Sequence, residues 1–90
     1  MYKIIYTKES EDNMSDIFDY ISNNNDFYAA KVLQSIKSTI DILKLFPLSG
    51  AIINSNIRII VDSKYRYSIY YSFNGKEVVI LYLGKYKKFI

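Results

Sequence analysis

The side chains best equipped for chemistry in this 90-residue chain are cations: Arg58, Arg66, Lys85 and Lys87, with Tyr86 between the last two. Each arginine presents a planar fork that grips a phosphate or carboxylate oxygen pair. Tyr86 offers a ring face for stacking. Lys85 or Lys87 could act as an acid or base at neutral pH only if burial or neighbouring cations lowered its pKa. That condition carries weight because the chain has no His, the usual neutral-pH proton carrier. It also has no Cys, hence no disulfide, thiol nucleophile or thiolate metal site. A zinc enzyme and a Ser-His-Asp hydrolase are excluded, and no cofactor is expected. In the plainer alternative Arg58 pairs with an acid and the lysines keep the surface soluble.

Charge is unevenly spread. Residues 1–26 hold Lys3 and Lys8 against six acids, a net −4, whereas residues 57–90 hold seven cations against Asp62 and Glu77, a net +5. An anionic partner would therefore meet the C-terminal part of the chain. No targeting signal is visible at the N-terminus and no apolar run reaches about 18 residues, so a cytoplasmic protein is expected.

The elements that must position these residues centre on Ile57–Lys85. This stretch is dominated by β-branched and aromatic residues and is interrupted by Asn74-Gly75, the strongest short hairpin signal in the chain. A two-residue loop there pairs Phe73 with Lys76, Tyr71 with Val78, Ile69 with Ile80 and Tyr67 with Tyr82. A four-residue loop would keep the same faces. One face then carries Tyr67, Ile69, Tyr71, Phe73, Val78, Ile80 and Tyr82, and reads as core. The other carries Arg66, Ser68, Tyr70, Ser72, Val79, Leu81, Leu83 and Lys85, and reads as a working surface. Strands are predicted at 57–61, 65–73 and 76–84.

Upstream, residues 2–7 form a short first strand. Thr7 caps a helix over about 8–23, with Met14, Ile17, Phe18 and Ile21 at helical spacing and acids in its first turn. After the Asn23-Asn24-Asn25 turn, Asn25 or Asp26 caps a second helix striped by Ala29, Leu33, Ile36, Ile40 and Leu43. Pro47 stops it. Residues 48–56 connect onward, with some strand at 51–53. The order β-α-α-β-β-β predicts one α+β domain over 1–90, an antiparallel sheet with a helical hairpin packed on one face.

These residues resemble the RelE/ParE superfamily of toxins from bacterial type II toxin–antitoxin systems. The resemblance rests on Asp16-Ile17-Phe18-Asp19-Tyr20-Ile21 and Ala29-Ala30, then Ile36, Ile40 and Leu43, then Phe46-Pro47, Gly50, Ile57-Arg58 and the Tyr71–Leu83 hairpin. Spacing in that hairpin is similar to the ParE branch. Arg58 to Tyr71 is about two residues longer than usual, the tail carries lysines where His or Arg is usual, and the chain stops at Ile90, before a tyrosine used by RelE-like nucleases. With the strands aligned through Arg66, the lysine pair of such nucleases falls on Ile57 and Ile59.

The resemblance implies a growth-inhibiting toxin neutralised by a cognate antitoxin protein, with DNA gyrase as the ParE-branch target. Arg58, Arg66, Lys85, Tyr86 and Lys87 would contact that target. The aliphatic strip Val79, Leu81 and Leu83, with Tyr70, would receive the antitoxin. The alternative is a ribosome-dependent mRNA endoribonuclease, for which Arg66, Lys85 and Lys87 would be catalytic. Such cleavage needs a base for the 2′-hydroxyl, cations for the phosphorane-like transition state and an acid for the leaving oxygen.

Overall fold

The computed structural model describes residues 1–85. Its elements are β1 (Lys3–Tyr6), α1 (Lys8–Ser22), α2 (Asp26–Ile42), β2 (Ala51–Asn54), β3 (Ile57–Val61), β4 (Ser68–Phe73) and β5 (Glu77–Gly84). The five strands form one sheet in the order β1-β5-β4-β3-β2. The α+β class and the helical hairpin on one sheet face are as the sequence predicts. Among the described residues, no helix is long and apolar enough to cross a membrane.

Both helices start where the caps predict. Thr7 accepts a hydrogen bond from the Ser10 amide through its hydroxyl, and Asn25 accepts one from the Tyr28 amide. Ala29, Ile36, Ile40 and Leu43 of the predicted α2 stripe are buried against Ile69, Tyr71, Val78, Ile80 and Leu83 of the sheet, with Val32 buried beside them where the stripe expected Leu33, which is half-buried. Met14, Ile17 and Ile21 of α1 pack around this core, as do Ile4 and Tyr6 of β1.

The sheet departs from the predicted one in several ways. First, it is mixed: β1 runs parallel to β5, with Ile4 opposite Val78 and Tyr6 opposite Ile80. A turn fixes the relative direction only of strands it joins, and two helices separate β1 from the rest. Second, residues 51–54 form a full edge strand on β3. Third, the hairpin loop has four residues, with Phe73 opposite Val78 and Tyr71 opposite Ile80. Asn74 Oδ1 accepts from the amides of Lys76 and Glu77, and Gly75 takes φ +94°. The glycine is thus required, but in a longer loop than the dipeptide alone suggests.

Beyond Tyr71 the register slips by one residue. Tyr70 faces Tyr82 and Ile69 faces Leu83, leaving Leu81 as the extra residue of a β-bulge. Ile80 and Leu83, three apart, are both core residues, which strict alternation forbids. The bulge has a physical anchor. Thr7 donates its amide and hydroxyl to the Ile80 carbonyl, its hydroxyl also lies 3.3 Å from the Leu81 carbonyl, and Asn13 Oδ1 accepts from the Leu83 amide. The first turns of α1 thus satisfy the backbone groups that the irregular ladder leaves behind.

Candidate functional site

The helices cover one face of the sheet. Register places Ile5 of β1, Val79 of β5, Ser72 of β4 and Ile59 of β3 on the other face. Val79 and Leu81 are half-buried there, as are Ile5, Ile57, Ile59 and Tyr82. The aliphatic strip expected from the sequence is therefore present and wider than expected. Two of its predicted members do not lie on it as accessible groups. The bulge turns Leu83 into the core, where it is 2% exposed. Tyr70 is fully buried, its ring tilted against Tyr82 with centroids 5.8 Å apart. Tyr82, expected in the core, faces outward with Tyr70 for the same reason.

Arg58 lies opposite Tyr71, on the helix-covered face. Its Nη1 donates to the carbonyls of Gly50, at 2.8 Å, and Leu48, at 3.2 Å. These partners answer the need of a cation on an apolar strand. Arg58 thereby ties the loop after α2 to β3. The Tyr71 hydroxyl works beside it, donating to the Pro47 carbonyl and accepting from the Gly50 amide. Burial pushes the Tyr71 hydroxyl pKa up, against the smaller lowering effects of the Gly50 hydrogen bond and of Arg58. Gly50 is required here, because a Cβ on it would sit 2.6 Å from the Tyr71 hydroxyl and 2.8 Å from the Ile59 carbonyl.

Arg66 is not on a strand. It adopts φ +66° in the loop joining β3 to β4, so the strand predicted from residue 65 begins only at Ser68. The reason is Asp62, which sequence reading treated only as a charge. Asp62 is 2% exposed. Its backbone amide donates to the Tyr67 carbonyl and its carbonyl accepts from the Arg66 amide, closing the loop. Its carboxylate accepts from the Tyr65 amide at 2.7 Å and from the Ser35 hydroxyl on α2 at 2.5 Å. This is an Asx-type turn docked onto a helix, and the signal for it was Asp62-Ser63 directly after an apolar strand.

Lys85, expected on the outer face beside Leu83, follows β5 at the same end of the sheet and reaches the helix-covered side instead, its Nζ 5.1 Å from the centre of the buried Tyr67 ring, because the bulge shifts the alternation of β5. Arg58 sits three residues before the end of β3, about 10 Å along the strand from the loop that holds Arg66. The fold thus places Arg66 and Lys85 at one end and Arg58 towards the other. The predicted Tyr86 and Lys87 lie outside the described residues.

A helical hairpin on a five-stranded mixed sheet, with β1 parallel to β5, is also the architecture of known proteins. A family profile described as "ParE toxin of type II toxin-antitoxin system, parDE" matches residues 4–88. The chain belongs to this ParE toxin family. A solved structure titled "Chromosomal ParDE TA system from P. aeruginosa" superposes with a TM-score of 0.82 at 21% identity, over 97% of this chain and 98% of that one. It shows that the fold is shared. A search of curated proteins returned no match.

Proposed function

We propose that this ParE-family chain arrests growth by binding an essential target, with DNA gyrase the favoured one, and that a cognate antitoxin neutralises it. The observation that carries the reading is the unpartnered apolar sheet face bearing Val79 and Leu81. A partly disordered acidic antitoxin segment that folds across this face would bury it. Replacing Leu81 by Lys puts a charge in the middle of that face. It should abolish complex formation while leaving the circular dichroism spectrum unchanged. Unaltered affinity would remove the antitoxin assignment from this face.

Binding is favoured over cleavage by what the cations do. The chain has no His. Arg58 Nη1 donates to two backbone carbonyls, which ties the guanidinium to the loop after α2, and Arg66 and Lys85 lie towards the other end of the sheet. One positioned transition-state donor is commonly worth about 3 kcal/mol, or about a hundredfold in rate. Among the described residues the cations do not converge, and a nuclease so arranged would forfeit much of that. A binding surface tolerates dispersed cations, because rim charges act mainly by steering. The test is to measure plasmid supercoiling by purified gyrase and mRNA cleavage on purified ribosomes, each with the purified chain. Lost supercoiling with intact mRNA supports the reading. Cleavage at codon positions with normal supercoiling would establish the ribosome-dependent endoribonuclease instead.

A further inference from the structure

At the tip of the helical hairpin, remote from the outer sheet face, lies a cleft of about 720 Å³. Its floor is aliphatic, from Ile17, Ile21 and Val32, and its walls carry the rings of Tyr20, Tyr28, Tyr65 and Tyr67. Lys64 and Lys85 line it on the sheet side and Asp16 on the α1 side. We propose that this cleft is a nucleotide site, taking a base with an exocyclic amine among the tyrosine rings and its phosphate on Lys64 and Lys85.

The size falls in the range of small-molecule sites, roughly 300–1,000 Å³. The aromatic walls are built, not incidental. Tyr65 and Tyr67 stand two residues apart in the loop that buried Asp62 pins to α2. Tyr28 meets Tyr65 edge-on, with centroids 5.6 Å apart and an interplanar angle of 84°. That geometry fixes the rings at right angles instead of letting them collapse into a stack. Stacking on such rings suits any nucleobase, since every base has a π-face. Lys64 Nζ lies over the Tyr65 ring, 5.5 Å from its centre, and Lys85 Nζ over that of Tyr67, at 5.1 Å. The exposed rings of Tyr20 and Tyr28 are the faces left for a base, and its phosphate would reach the lysines that cap Tyr65 and Tyr67. The polarity of the cleft selects further. Cations on one wall and a carboxylate on the other match a ligand that is anionic at one end and a hydrogen-bond donor at the other. An adenine or cytosine nucleotide has that pattern, because its exocyclic amine can donate to Asp16. The inference is independent of whether gyrase is the target.

The experiment is a titration of the purified chain followed by amide chemical shifts, with AMP, IMP, adenosine and a five-residue adenylate strand as probes. AMP should shift the amides of Ile17, Tyr28, Tyr65 and Tyr67. IMP, which replaces the amine by a carbonyl, and adenosine, which lacks the phosphate, should each bind at least about tenfold more weakly. Tyr20→Ala and Lys64→Ala, both surface changes, should each weaken AMP by a similar factor, with folding checked by circular dichroism. Binding of the strand without AMP would assign the site to a nucleotide within a nucleic acid; binding of both would assign it to the free nucleotide as well. No cleft shifts with either probe at millimolar concentration would overturn the proposal. So would equal AMP and IMP affinity, or cleft shifts produced only by an acidic peptide.

Discussion

Replacing Tyr71 by Phe isolates one joint of the fold. The ring is fully buried and would stay in place, so no cavity opens. What disappears is a hydroxyl that donates to the Pro47 carbonyl at 2.8 Å and accepts from the Gly50 amide at 2.9 Å. Pro47 and Gly50 are themselves buried, so water is poorly placed to take over. Two net hydrogen bonds at about 1 kcal/mol each, with the added cost of a buried amide left unpaired, give a loss of about 2–4 kcal/mol. For 90 residues a total stability of roughly 5–13 kcal/mol is expected, so this is a large fraction. The midpoint of thermal unfolding should fall by roughly 10–30 °C. Urea unfolding at pH 7, followed by circular dichroism, measures it, and the slope with urea should not change. A pH series adds an independent check. The native hydroxyl pKa is raised above the ordinary 10.0, chiefly by burial. Native Tyr71 therefore holds its proton more tightly than the unfolded chain does. Its contribution is complete below pH 10 and is lost as pH rises through the native pKa. The gap between the wild type and Tyr71→Phe should accordingly narrow above pH 10. A loss below about 0.5 kcal/mol at pH 7 would refute the idea that this hydroxyl secures the loop after α2.

Three further substitutions test the irregular parts of the fold. Arg66→Gly should leave stability unchanged or raise it by about 1 kcal/mol, because a glycine adopts φ +66° without the Cβ conflict; a clear loss in urea unfolding would mean that the guanidinium itself holds the loop. Leu83→Ala should cost about 2–4 kcal/mol as a core truncation, and Leu81→Ala less than about 1 kcal/mol, in the same assay. Equal or reversed costs would argue against the bulge that turns Leu83 inward.

The element order was legible in the sequence because each element carried a local signal. Thr7 and Asn25 are caps, the α2 stripe has helical spacing, and Gly75 supplies a positive φ. Burial then enforced the pattern, since Ile69, Tyr71, Val78 and Ile80 have nowhere to go but the core. The candidate site was read less well, and its errors share an origin. A period-two reading assumes an uninterrupted strand, so one extra residue at Leu81 moved Leu83 inward and Tyr82 outward. The same assumption extended β4 back to residue 65, through a loop that Asp62 had already closed. Neither irregularity is coded by its neighbours alone. The bulge is held by Thr7, 73 residues away from Ile80 in sequence, and the loop by Ser35, 27 residues from Asp62. Local pattern therefore reports which residues want burial, while distant hydrogen-bond partners decide where the ladder may slip. In this chain both slips adjoin surfaces open to ligands. The bulge turns Tyr82 onto the outer sheet face beside Leu81, and the Asp62 loop sets Tyr65 and Tyr67 beside Lys64 and Lys85. Binding surfaces are where regular strands stop, so they are where reasoning from regularity loses its hold.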